Sequence, residues 1–197
     1  MMNPLLRLER LWVYGGFLAA LVILALTPVV TEGWTSAMLA VWLILPVYMI
    51  HQFEEHDDNR FARFLNEHVG KGREVLGQRA IFVINIGGVW LLNVVVIWLA
   101  VRADIGWGLI AIYATFFNAV LHIAQAVRMR KVNPGLYTSI VLFLPLTLWG
   151  GLMVHQATDV TLVQEAVALA VAIGLHLIIL AFAYSNLKRH PRTAHKR

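Results

Sequence analysis

The sequence predicts an all-α protein, a bundle of six membrane-spanning helices with both termini in the cytoplasm. Three observations carry this. First, of 197 residues 59% are hydrophobic and only 14% charged, whereas a soluble domain carries about 25% charged residues. Second, mean hydropathy is +0.70, and several runs approach the roughly 20 apolar residues that a helix needs to cross a bilayer. Third, with six crossings every lysine and arginine except Arg102 falls on one side. The positive-inside rule makes that side cytoplasmic.

The spans follow in order. Residues 11–30 come after Arg7 and Arg10, and no small-residue cleavage signature precedes Thr31-Glu32, so a retained span is expected rather than a cleaved signal peptide. Residues 36–53 form the second span. The loop after it carries Arg60, Arg63, Lys71, Arg73 and Arg79. Within it, residues 59–69 read as an amphipathic helix on the inner leaflet, with Phe61, Phe64, Leu65 and His68 on one face and Gly70 as its stop. Residues 80–101 run outward and 105–127 return, to Arg128, Arg130 and Lys131. Residues 136–156 and 162–184 complete the bundle. Trp34, Trp98, Trp107 and Trp149 fall near the outer interface, as an aromatic belt does. One integral membrane domain, 1–187, is thus expected, with a basic tail at 188–197, in a cytoplasmic membrane of bacterial type.

Composition also excludes chemistry. The chain has no cysteine, so disulfides, thiolate metal sites and cysteine nucleophiles are ruled out. Its net charge of +5 is accounted for by the inner loops. No nucleic-acid partner is expected; membrane lipid is.

The chemistry concentrates in His51-Gln52-Phe53-Glu54-Glu55-His56, at the end of the second span. Ionisable groups are costly at a membrane boundary unless they pair or bind a cation. On a helix His51, Glu54 and Glu55 share one side. The fourth span adds Asn118, His122 and Gln125 on one face, His122 about 8 Å inside its inner end at 1.5 Å per residue. His176 of the sixth span lies about 12 Å from the same boundary by the same rise. Asn85 and Asn93 of the third span sit beside Gly87 and Gly88, where interhelical hydrogen bonding is the plain alternative. His155, Asp159 and Glu165 are expected at the outer interface, and His56 and His68 in solvent.

Four spans thus aim polar side chains at one depth. Histidine and carboxylate ligands on facing helices suit zinc first, with iron or manganese as alternatives. Two histidines and a glutamate make a catalytic zinc site with one position left for water. His51, Glu54 and His122 are the expected ligands, with His176 as a further one. Glu55 is then the general base. The spacing leaves the two glutamates interchangeable. Asn118, Gln125 and Asn85 would orient the ligands.

The string His51-x-x-Glu54-Glu55 resembles the signature of the HXXEE domain family of small integral membrane proteins. Asn118-x-x-x-His122 and Asn133-Pro134-Gly135-x-x-Thr138 are similar to that family's other recurring pattern. The resemblance covers about 42–146. The family has no assigned reaction, so the resemblance implies a site and supplies no chemistry. CAAX-protease-like membrane proteins offer a second comparison, through a Glu-Glu-x-x-x-Arg motif. Here Asn59 stands where the arginine should be and Arg60 is one residue late; Asn118 replaces the phenylalanine of their Phe-x-x-x-His motif. Only a chemical analogy remains.

The function expected is a metal-dependent membrane hydrolase acting on a lipid or another membrane-held substrate at the cytoplasmic edge. The competing classes are a transport or proton-relay protein, and a non-catalytic membrane protein with a self-satisfied polar cluster. Topology is the first test. Single-cysteine labelling, on a background free of cysteine, should find both termini inside and the loops around Trp34, Asp104 and Asp159 outside. A C-terminus on the outer side would overturn the depth argument for the site.

Overall fold

A computed structural model describes residues 3–189. Every element among them is helical. Six helices are long and apolar enough to cross a membrane: α1 (Pro4–Val30), α2 (Ser36–His56), α4 (Gln78–Arg102), α5 (Ile105–Met129), α6 (Leu136–Ala157) and α7 (Leu162–Arg189), with the short α3 (Arg60–His68) between α2 and α4. Each predicted span is present. At the basic end α1 and α7 run beyond the apolar segments, because charged residues end a hydrophobic run without ending a helix. The Asn3 side chain accepts from Leu5 N (3.0 Å) at the start of α1, with Pro4 in the first turn. Residues 190–197 of the expected tail lie outside the described residues.

Helix α2 is the axis of the bundle. Half of its apolar window is buried (50%), against 17% in α7. Its small and β-branched residues Ala37, Ala40, Val41 and Ile44 pack on α4, α5 and α6. Burial recurs every three to four residues, so the same stripe continues through Tyr48 to His51, Gln52, Glu55 and His56. Close approach of α6 depends on Gly150. A Cβ there would lie 3.3 Å from both the Ala40 Cβ and the Ile112 Cδ1. Helix α1 covers one side of α2, and α7 packs on α5.

Asp58 and Asn59, both left-handed (φ 50° and 54°), break the chain between α2 and α3. Asp and Asn tolerate this region better than most residues. The amphipathic α3 turns Phe64 and Leu65 inward onto Trp12, Val75, Leu76 and Ile81. The loop beyond ties the two ends of the described chain together: Arg73 donates to Leu187 O (2.9 Å) and Gln78 Nε2 to Glu9 O (3.1 Å). Both ends therefore lie at one end of the bundle, with the basic loops.

At the opposite end Asp104 joins α4 to α7. It accepts from Gly106 N (2.8 Å) and Gln164 Nε2 (2.7 Å). The Gly106 N–H, with lesser help from Gln164 and Thr158 and against partial burial, holds the Asp104 carboxyl below the usual range. His155 and Glu165 pair at this end (2.7 Å), where Tyr113 also donates to Glu165 (2.6 Å).

The Gly150 contact makes a local prediction. Gly150→Val should lower the melting temperature in detergent, by about 1–3 kcal/mol of overpacking. Gly151→Val is the control, since a Cβ at that neighbouring position meets nothing within 4 Å. Equal effects at the two positions would remove Gly150 from the account of α2–α6 packing.

Candidate metal centre

The centre lies at the basic end of the bundle, where α2, α5 and the start of α6 meet. His51 and Glu55 come from α2 and His122 from α5; all three are buried. One ligand atom from each lies within 4.8 Å of the others. Glu55 Oε2 is 3.6 Å from His51 Nε2, and Glu55 Oε1 is 3.5 Å from His122 Nε2. These are long for hydrogen bonds. Two ligands on a tetrahedral ion with bonds of about 2.0–2.2 Å stand about 3.3–3.6 Å apart, so each histidine lies at ligand-to-ligand distance from one of the two Glu55 oxygens, and the triad as a whole closes to within 4.8 Å.

The outer nitrogens of the histidines decide what the inner ones present. Asn133 Nδ2 donates to His122 O (2.7 Å), which turns Asn133 Oδ1 towards His122 Nδ1 (3.2 Å). That oxygen can only accept, so His122 carries its proton on Nδ1. Thr138 Oγ1 donates to Glu54 Oε2 (2.5 Å) and lies 2.8 Å from His51 Nδ1, which must donate in turn. Each Nε2 therefore presents a lone pair to Glu55. His51 Nε2 has no hydrogen-bond partner among the described residues. With these tautomers the two lone pairs and the carboxylate repel in a low dielectric. A divalent cation relieves that repulsion, and the donor set suits one.

Aromatic rings close the centre. Phe143 lies 4.3 Å from the His51 ring, and Phe61 of α3 contacts His56 (5.3 Å) and His122 (6.4 Å) between centroids. Gly135 (φ 92°) passes between the histidines; a Cβ there would lie 2.8 Å from Cε1 of both His51 and His122.

Several expected placements are corrected. Glu54 is outside the triad. Its carboxylate accepts from Gly135 N (3.2 Å), Tyr137 N (3.2 Å), Thr138 N (2.7 Å) and Thr138 Oγ1, at the start of α6. Successive helical residues point about 100° apart, and here Glu54 turns to α6 while Glu55 turns between the histidines. Glu55 takes the place expected of Glu54, between the histidines. His176 is also elsewhere. Its Nδ1 donates to Ala172 O (2.7 Å), and its ring lies against Phe117, because α7 packs on the far side of α5. Asn118 Oδ1 is buried without a partner, and neither Asn118 nor Gln125 hydrogen-bonds to the histidines among the described residues. Asn85 lies behind the centre: its Nδ2 is 3.3 Å from His56 Nε2, and its Oδ1 accepts from Gln52 Nε2 (2.7 Å).

His56, expected in solvent, is buried with Nε2 3.1 Å from Glu55 Oε2. The three-to-four-residue stripe of α2 was the signal that could have found it, together with Gln52, whose Oε1 accepts from Trp90 Nε1 (2.6 Å). Thr138 and Asn133, which hold the histidines, belong to the Asn133-to-Thr138 segment.

A family model described as "Protein of unknown function with HXXEE motif" matches residues 42–150. The chain belongs to the HXXEE family. The match contains the whole centre, and the motif's histidine and second glutamate are two of its three candidate ligands, while the first glutamate is the latch on α6. Neither the curated proteins nor the solved structures gave a match.

Gly135→Ala should cost more than backbone strain alone, about 1–3 kcal/mol, because the methyl group also meets both imidazoles. Gly33→Ala is the reference, with a similar φ of 77° and nothing within 4 Å. Melting temperatures of the two variants, compared in one detergent, isolate the clash; equal losses would show that the histidines do not enclose Gly135.

Proposed function

We propose that this HXXEE protein is a metal-dependent membrane hydrolase, with His51, Glu55 and His122 as ligands, acting on a lipid or another membrane-held substrate. The basic end of the bundle faces the cytoplasm of a bacterial-type membrane. The observation that carries the reading is the convergence of two buried imidazole Nε2 atoms on one buried carboxylate, with each Nδ1 held by an outer partner. Three protein donors leave a tetrahedral ion one position, the arrangement of catalytic rather than structural zinc sites. Zinc suits the set best, with iron or manganese as alternatives, and a bound ion supplies a Lewis acid there.

The side chains have separable duties. Thr138 and Asn133 hold the histidine rings in the required tautomer. Glu54 anchors the backbone that bears Thr138. His56 steadies Glu55 through Oε2 and is the group placed to carry a proton to or from the centre. Phe143 and Phe61 limit the entry of bulk water.

A proton or ion pathway is the second reading. Asn93, buried within α4 with its Oδ1 unpartnered, favours it, whereas the ionisable residues gather at the two ends of the bundle. A self-satisfied polar network is the third, and the unpartnered His51 Nε2 weighs against it.

Elemental analysis of protein purified in mild detergent, without chelator, tests the proposal. The parent should hold close to one equivalent of metal. His51→Ala, His122→Ala and Glu55→Gln should each lose most of it, while Glu54→Gln should keep it with reduced thermal stability, about 1–3 kcal/mol for a charge-assisted network. A parent that contains no metal, and takes up none of zinc, iron or manganese, would decide against the proposal.

A further inference from the structure

Beside the centre a cavity of about 400 Å³ opens at the basic end of the bundle. Its floor includes Glu54 and Asn133, one of which latches α6 while the other holds His122. It is therefore the compartment next to the candidate metal ligands. Its volume is within the range of small-molecule sites, about 300–1,000 Å³.

The wall of the cavity is basic where it meets water. Arg60 and Arg63, one turn apart on α3, line it. Lys131 Nζ reaches the rim through His68 Nε2 (3.0 Å). Among the negative groups, Glu54 is already met by four donors, which leaves Glu67 on the wall. Arg60 pairs with Asp57, and Arg63 with Asp58 (3.0 Å). The arginine side chains of these pairs are 41% and 56% exposed. The Arg63–Asp58 pair is exposed and weak, so a more highly charged oxyanion can displace Asp58, whereas the Arg60–Asp57 pair is part-buried. Two guanidiniums at this spacing suit a phosphate, which takes paired N–H donors from each.

The other wall is apolar. Val132, in the loop after α5, and Tyr137, in the first turn of α6, line the cavity and are 56% and 63% exposed. A molecule with its anionic group between the arginines can leave an acyl chain along this wall. We infer that the cavity receives the phosphate headgroup of a membrane amphiphile. As a statement about substrate this rests on the hydrolase reading; as a statement about binding it does not.

The test uses the full-length chain in maltoside micelles, with affinity read from the ligand dependence of the melting temperature. The probes are short-chain phosphatidic acid, the diacylglycerol with the same chains, and inorganic phosphate. Phosphatidic acid should stabilise the protein at concentrations where the other two do not. Arg60→Gln and Arg63→Gln should each weaken that binding about tenfold or more, the scale of a hydrogen bond to a charged group. Glu67→Gln should tighten it by about two- to fivefold, the scale of an exposed charge pair, which keeps the test decisive if an arginine variant does not fold. Arg128→Gln, outside the cavity, should leave it unchanged.

Equal stabilisation by diacylglycerol would overturn anion recognition, and equal stabilisation by inorganic phosphate would overturn the membrane source. An Arg128→Gln effect as large as that of Arg63→Gln would reduce the result to surface attraction. Metal content measured on the same preparations separates the two readings. Lipid binding without metal overturns the hydrolase proposal alone, and metal without lipid binding overturns this inference alone.

Discussion

The two consecutive carboxylates of α2 serve different partners. With about 100° between successive side chains, Glu54 and Glu55 diverge, and the rest of the centre is built on that divergence. Glu54 leaves α2 towards α6 and is caught by three backbone N–H groups and a hydroxyl between Gly135 and Thr138. Glu55 leaves towards α5 and stands between two imidazoles. The first contact places the backbone that makes the second useful, since Thr138 turns His51 and Gly135 passes between the rings. A carboxylate at the start of a helix also meets the positive end of its dipole, so the latch uses both orphaned N–H groups and field.

The centre is unusual in what it withholds. A self-contained polar network alternates donors and acceptors until every buried group is met. Here the donors are spent on the outside of the cluster: His51 on Thr138 and His122 on Asn133. The inside is left with acceptors. His56, on the other flank of Glu55, has its Nε2 between Glu55 Oε2 and Asn85 Nδ2, and Asn85, Gln52 and Trp90 form a connected neutral chain behind it.

Much of this was legible in the sequence. Spans follow from hydropathy and length, and basic residues mark one end; both signals are additive over many residues and survive local exceptions. His51 and His122 stood out because an ionisable residue in an apolar run needs a reason. What remained hidden depends on direction rather than on composition. Glu54 and Glu55 read as equals until α6 gives one of them a partner. His56 read as solvent-exposed because it closes a span, although the stripe of α2 reaches it. His176 has the right depth and the wrong azimuth. Two stretches, Ile84–Trp90 and Ser139–Phe143, wind as π-helical turns. Each re-aims a helix next to the centre, bringing Asn85 and Trp90 to Gln52 and Phe143 to His51, and no simple period of 3.6 residues announces such a turn.

Gly135 carries a consequence for how such chains diverge. Two independent pressures hold it: a left-handed backbone and the two rings that leave no room for a side chain. A lineage that lost either imidazole would release the second pressure and keep the first. Asparagine, which tolerates positive φ, is then the replacement to expect at position 135. Glycine there and histidine at 51 and 122 should consequently be inherited together, and their joint loss would mark the branches in which the centre has fallen out of use.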